Sequence, residues 1–157
     1  MTPGRVAATT ALQVAPGQEA FVGDTAFNVA DACRAPDSDA MAILRDDVVI
    51  GFYRIDRAAS VASRVPLGSG SLGLRAFMID RRWQGRGYAA RALAVCCGDL
   101  ARSRPDAALL ALNVECRNVV AIRTYRSAGF VDTGELLAGG RGGPQRLMLR
   151  ALRRPRV

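Results

Sequence analysis

Apolar and polar positions change period several times along the chain, and each change marks an element. Between Leu72 and Ile79 the residues alternate: Leu72, Leu74, Ala76 and Met78 against Gly73, Arg75, Phe77 and Ile79. The run turns apolar on both faces at its end, as in a strand entering a core. Gly85 and Gly87 then bracket Arg86. Behind them Ala89, Leu93, Cys96 and Leu100 recur at helical spacing, with Arg91 and Arg102 elsewhere on the wheel. The stretch reads as strand, tight glycine turn and helix, stopped by Ser103-Arg104-Pro105-Asp106.

The same reading extends outward. Val6 to Val14 is a weak strand candidate, ended by Pro16-Gly17. From Gln18 to about Cys33 the spacing of Phe21, Val22, Thr25, Ala26, Val29 and Ala30 predicts one helix. Met41 to Leu44, the pair Asp46-Asp47, and Val48 to Ile55 read as a hairpin. A polar connection over 57–71 leads into the central strand, giving a three-stranded antiparallel meander. Ala107 to Val114 is a short buried strand, which a right-handed crossover makes parallel to the central one. Asn118 can cap a second helix, with Gly129 just past its end. Phe130–Thr133 and Arg146–Leu152 are final strands around the glycine-rich loop 139–143. The expected fold is a single α/β domain over 1–157, with a frayed tail at 152–157. Its sheet is mixed and mostly antiparallel, splayed between two central parallel strands and flanked by helices.

Composition narrows the chemistry. Half of the 157 residues are hydrophobic, so one sizeable core is expected. No apolar run approaches the roughly 20 residues that span a bilayer, and Met1 to Val6 lacks a secretory apolar segment. A soluble, cytoplasmic protein with no membrane partner is expected. The net charge is +8, and all 22 basic residues are arginine. With neither histidine nor lysine, a histidine base, a histidine metal ligand and a lysine Schiff base are excluded. Cys33, Cys96, Cys97 and Cys116 lack metal-type spacing, so no metal is expected.

The glycine turn carries the strongest chemical signal. A helix's first turn has N–H groups without intrahelical partners, and the macrodipole adds partial positive charge there. Two glycines remove Cβ atoms that would hold a phosphate away. Arg81, Arg82 and Arg86 add charge around it. Residues 84 to 89 are therefore expected to hold a pyrophosphate. Gly85-x-Gly87-x-x-Ala90 also satisfies a relaxed dinucleotide fingerprint, but too few residues follow for a doubly wound sheet.

On the second helix Asn118, Ala121, Ile122 and Tyr125 share a stripe. Asn118 and Tyr125 lie nearly in line, about 10 Å apart along the axis. Arg82-x-x-Gly85-x-Gly87, followed by Asn118-x-x-Ala121-Ile122-x-x-Tyr125-x-x-x-Gly129-Phe130, resembles the GNAT superfamily of acyl-CoA-dependent N-acyltransferases. Phe77-Met78-Ile79-Asp80 and Asp132-Thr133-Gly134-Glu135 resemble its bacterial diamine (spermine/spermidine) acetyltransferase branch. Together these stretches span most of residues 41 to 152.

The resemblance implies acetyl-CoA as cosubstrate and direct attack of an amine on its thioester through a tetrahedral intermediate. It implies that the backbone of Phe77, Met78 and Ile79 pairs with the pantetheine arm. Gln84, Gly85, Arg86, Gly87, Tyr88 and Ala89, with Arg82 beside them, would hold the pyrophosphate. Asn118 would bond the pantetheine region, and Tyr125 would protonate the departing thiolate, a role a phenol can fill. The backbone N–H near Ile79 would polarise the carbonyl.

Glu115 is the candidate base that deprotonates the amine, alone or through water; Asp80 is a weaker one that would also shape the turn. Each has a plainer alternative. Asn118 would be explained as an N-cap, Tyr125 as a core residue, Trp83 and Tyr88 as wall residues, and Glu115 as a loop carboxylate. Cys116 beside Glu115 lacks a histidine to activate it.

The expected acceptor is a small-molecule amine, its identity open among polyamine, antibiotic, amino acid and protein N-terminus. Asp24, Asp31, Asp37 and Asp39 would attract a polyamine, against a net charge that repels one. Two other functions stay open: a CoA-binding sensor without turnover, and a nucleic-acid binder using Arg150, Arg153, Arg154 and Arg156. The arginines are scattered and aromatics few, which disfavours nucleic acid. The last strand offers an edge for a homodimer.

Overall fold

The computed structural model describes residues 1–140 and 142–153, and at 61 and 62 the backbone alone. Along the chain lie α1 (Pro3–Thr10), α2 (Glu19–Val22), α3 (Thr25–Arg34), β1 (Ser38–Arg45), β2 (Val48–Asp56), α4 (Ser60–Ser63) and β3 (Ser71–Ile79). After a 3-10 turn at Arg81–Trp83 come α5 (Tyr88–Ser103), β4 (Leu109–Glu115), α6 (Val119–Ser127), β5 (Val131–Leu137) and β6 (Gln145–Ala151). The strands form one six-stranded sheet in the order β1-β2-β3-β4-β6-β5. Every pairing is antiparallel except β3 with β4. The expected mixed sheet with two central parallel strands is what the chain forms.

The parallel pairing is short. Ser71, Leu72 and Gly73 pair with Leu109, Leu110 and Ala111, and there the ladder stops. Beyond it β3 runs on to Ile79 and β4 to Glu115 without pairing to each other, so a wedge opens between them. The sheet's main core lies against α5 and α6, where Leu74, Ile79, Leu93, Leu100, Leu110, Leu112, Ile122 and Phe130 bury together. On the other face Leu12, Val29, Ala32, Phe52 and Met78 pack beneath α1 and α3.

Four expectations need correction. Residues 6 to 14 are not a strand: Thr2 caps α1 through a bond from Arg5 N–H, and Pro3 occupies its first turn. Val6 then packs as one helical face on the Leu12–Phe52 cluster. The helix expected from Gln18 to Cys33 is two, because Gly23 at φ 71° ends α2 and Asp24 accepts from Phe27 N–H to start α3. The 57–71 connection contains α4. The last strand, β6, is internal; the sheet edge on that side is β5.

The hairpin stands, with Asp46 and Asp47 at φ 47° and 65°, both in the left-handed region that a two-residue turn of this hand requires. The frayed tail proposed for 152–157 falls partly outside the described residues, as do Arg154 and Arg156. Leu152 itself is buried, and its N–H bonds to Ala108.

Candidate active site

The wedge is a cleft of about 490 Å³ that passes through the sheet. Its walls come from β3, β4, the glycine turn, the start of α5, α6 and the short α2. Alternation along β4 assigns its two sides. Leu110, Leu112 and Val114 enter the core against α5 and α6. Ala111, Asn113 and Glu115 therefore face the other way.

At one end the chain leaves β3 through Asp80. Its carboxylate accepts from the N–H of Gln13 and from both the N–H and Nε of Arg82. Burial pushes the Asp80 carboxyl upward, but these bonds outweigh it and hold the group below its ordinary range. Asp80 thus clamps the N-terminal segment to the turn, and Arg81 N–H adds a bond to Gln13 O. It is a fastening, not a free base.

The turn then reaches α5 through Gly85 and Gly87, at φ 73° and 77°. Only glycine adopts such angles at no steric cost. A Cβ built on either meets nothing within 4 Å, so the backbone here borders open space. Gly87 occupies the N-cap and supplies no side-chain bond to the first turn. Gln84, Gly85, Gly87, Tyr88 and Ala89 all line the cleft. These residues fit a phosphate group: unpartnered amides, a helix N-terminus and no Cβ in the way.

The Gln84 side chain is spoken for, donating to Ile79 O at 2.9 Å and to Gln18 Oε1 at 2.8 Å. Arg82 and Arg86 are not among the lining residues. Arg82 bonds Asp80, while Arg86 and Arg45 lie over the Trp83 ring, at 5.5 and 5.2 Å. Trp83 packs edge-on against Tyr88, as a wall.

Next along β3, backbone direction matters more than side chains. Asp80 N–H donates to Ile50 O. Ile79, in register with Gly51, therefore turns its own N–H and C=O away from β2 and toward the wedge. The carbonyl is taken by Gln84, and β4 has already splayed away from the N–H. Between Phe52 and Arg54 the register slips, because β3 carries one extra residue there, with Ala76 at φ 52°. That bulge re-aims the strand as it enters the cleft. Phe77 and Ile79 line the space. The Met78 side chain points the other way, buried against the α3 side, where its sulfur accepts from Thr25.

Across the wedge, Asn118 caps α6, its Oδ1 accepting from Ala121 N–H at 3.2 Å. The plain capping role is real, but Asn118 also lines the cleft, with Nδ2 left to donate. Tyr125 sits between Phe77 and Phe130, with ring centroids 6.2 and 5.7 Å away. Tyr125 lines the cleft, and its hydroxyl has no hydrogen-bond partner among the described residues. Burial raises the phenol's pKa, so it keeps its proton at neutral pH. Glu115 ends β4, 8% exposed, with Arg117 Nη2 3.3 Å from its carboxylate. Gly142 crosses directly over it: a Cβ there would fall on the carboxylate.

Several lining residues escape a sequence reading. Arg75, Asn113, Phe21 and Val22 join the cleft only because the strands part and α2 swings beneath them. Asn113 alone left a trace, as an amide inside an otherwise apolar strand.

Of the four acidic residues weighed as a polyamine attractor, none lines this cleft. Asp24 caps α3, Asp31 pairs with Arg54, and Asp39 pairs with Arg57 and Arg104. Among the described residues there is no group of three metal-ligating side chains, and no helix long and apolar enough to cross a membrane.

Comparison with known proteins gives a consistent picture. The fold is similar to that of aminoglycoside acetyltransferase AAC(6')-Ib in complex with coenzyme A, at 16% identity and a TM-score of 0.74, covering 96% of this chain and 91% of that one. It is similar to a spermidine N-acetyltransferase from Vibrio cholerae, at 17% identity and a TM-score of 0.60, covering 80% and 71%. An uncharacterised protein from Bacillus halodurans aligns at a TM-score of 0.79 and 13% identity, covering 96% and 81%. No curated protein matches the sequence. The model of the acetyltransferase (GNAT) family matches residues 7–130, most of the sheet and both helices that border the cleft, and the chain belongs to that family.

Proposed function

We propose that this protein is an N-acetyltransferase that moves an acetyl group from acetyl-CoA to a primary amine of a small molecule. One observation carries the reading. The uncapped N-terminus of α5 and the unpaired edge of β3 open into the same wedge, so a phosphate end and a strand-like arm have one continuous seat. When bound, acetyl-CoA supplies an acetyl thioester, whose C–S bond breaks as a C–N bond to the amine forms.

The chain's own residues divide the work. Amides of Gly85 to Ala89 receive the pyrophosphate, with the exposed charges of Arg82 and Arg86 nearby. The backbone of β3 from Phe77 through Met78 to Ile79 meets the pantetheine arm, and the Ile79 N–H polarises the thioester carbonyl. Asn118 Nδ2 donates to the same arm. Tyr125 holds a proton at Oη and delivers it to the departing sulfur; burial keeps that proton in place. Glu115 accepts the proton the amine sheds, directly or through water.

The direct test is an amine panel assayed by thiol release. Tyr125→Phe should lower kcat by about 10²–10⁴-fold while the KM for acetyl-CoA stays put. Wild-type turnover in that variant would return Tyr125 to mere packing. Glu115→Gln, which keeps the shape beneath Gly142, should lower turnover and shift the pH profile; an unchanged profile would remove it from the proton path.

A further inference from the structure

Where α2 borders the cleft, the lining differs in kind from the donor side. β3 offers Arg75 there and β4 offers Asn113. The parallel register ends at Gly73 with Ala111, so both residues stand two positions past the apex, level with each other where the strands begin to part. That is about 6.6 Å beyond the last pair.

Arg75 lies on the α3 side, because its partner Asp56 also holds Arg54, which in turn bonds Asp31 on α3. Asp56 takes Nε and Nη2 of Arg75. Nη1 has no partner among the described residues, and the side chain is 34% exposed. Asn113 presents the opposite need: its Oδ1 is buried and accepts no hydrogen bond. A buried acceptor left without a partner carries the cost of its lost hydration, so a ligand N–H there is favoured. The other charged lining residues are Arg123 and Glu115, the latter already paired with Arg117.

We propose that the acceptor is an α-amino acid, its carboxylate held by Arg75 and its amine directed by Asn113 Oδ1. This rests on the acetyl-transfer reading above. The course of β3 favours it. Phe77 and Ile79 face the α5 and α6 side with Tyr125, and the bulge at Ala76 leaves Arg75 on the α3 side of the same strand. Phe77 and Arg75 both line the wedge, so a molecule whose nitrogen reaches the thioester through it leaves its next atoms on the Arg75 side. Phe21 and Val22 of α2 line this side with apolar surface for a side chain. A polycationic acceptor would instead meet a guanidinium and find no free carboxylate cluster. The bond made is the C–N bond described above, with the thioester's C–S bond broken and the amine proton released to Glu115 or water.

The test compares free α-amino acids with their decarboxylated amines and methyl esters, and with spermidine and kanamycin, at saturating acetyl-CoA. Amino acids should exceed their decarboxylated partners in kcat/KM by about 10- to 100-fold, as one charge-assisted bond allows. Arg75→Met should erase that ratio through the KM of the amino acid. Arg75→Lys, which keeps a cation beside Asp56, should restore part of it. Asn113→Ala breaks no ion pair and should raise the same KM with the acetyl-CoA KM unchanged. Faster acetylation of spermidine, kanamycin or the decarboxylated amines would overturn the proposal and leave acetyl transfer standing. So would a ratio indifferent to Arg75→Met in a variant that still binds acetyl-CoA by calorimetry. Failure of the wild type to bind acetyl-CoA would remove the acetyl-transfer reading itself, and this one with it.

Discussion

Two helices begin at the same cleft and solve the same problem differently. Each has first-turn N–H groups that its own turns cannot satisfy. At α6 the chain answers from within: Asn118 folds its Oδ1 onto Ala121 N–H. At α5 it supplies nothing, since Gly87 has no side chain to give. The cost of a glycine cap is only a few tenths of a kcal/mol, and the helix recovers it by length and packing, with Leu93, Cys96, Cys97 and Leu100 all buried. What α5 gains is a positive, sterically open end. The comparison teaches that a missing cap beside open space can be the more informative feature, whereas a present cap is ambiguous between stability and ligand binding.

The largest expected effect lies on the open side. Gly87→Val places a β-branched residue at φ 77° and sets its Cβ in the space over the turn. Acetyl-CoA affinity by calorimetry should fall by at least about 100-fold, the loss of one or two charge-assisted bonds. Unchanged affinity would break the comparison, because the two helix starts would then be equivalent.

Next comes the clamp that aims α5. Asp80→Asn should cost about 1–3 kcal/mol, since Asp80 is 1% exposed and holds three donors from Gln13 and Arg82. Its folded pKa lies below the ordinary 3.8. The stabilisation is therefore present above that pH and is lost as pH falls through the lower folded value. Acid titration followed by circular dichroism should show the wild type losing this increment below about pH 4 and the variant lacking it throughout. Parallel acid curves would mean that the clamp contributes nothing.

Much of this architecture was legible because local pattern and tertiary role agree. The glycine turn and the Asn118–Tyr125 stripe fold as their spacing predicts, and β3 forms its strand, but the bulge at Ala76 breaks its alternation: Leu72 and Leu74 share a face with Phe77 and Ile79, while Ala76 and Met78 turn to the other. The N-terminal third was harder. Val6 to Val14 looks strand-like by residue type, while the decisive Thr2-Pro3 start signal lies outside the apolar stretch. Gly23-Asp24 splits a helix whose spacing runs on unbroken across it. The acceptor side was least visible. Arg75 and Asn113 meet only through the register of two strands 38 positions apart in sequence, which no local window contains. Arg82 and Arg86 stand outside the cleft lining for a related reason: charge near a turn in sequence does not fix where a long side chain points.

The smallest effect separates the two roles of Asn118, and so decides whether the α6 start is only a cap. Asn118→Ala removes both functions and should lower stability by about 1 kcal/mol. Asn118→Asp keeps an oxygen that can accept from Ala121 N–H, and a carboxylate at a helix start is favoured by about 0.3–1 kcal/mol. Its melting temperature should match or slightly exceed that of the wild type. What it lacks is the Nδ2 donor facing the cleft, and it places a negative charge beside a polyanionic cosubstrate. The KM for acetyl-CoA should rise several-fold, near the about 1 kcal/mol of a single hydrogen bond, with kcat little changed. A thermally intact Asn118→Asp variant with wild-type KM would leave α6 self-contained, its asparagine serving the fold alone. A raised KM would make the two helix starts partners on one ligand, one giving backbone amides and the other an amide side chain.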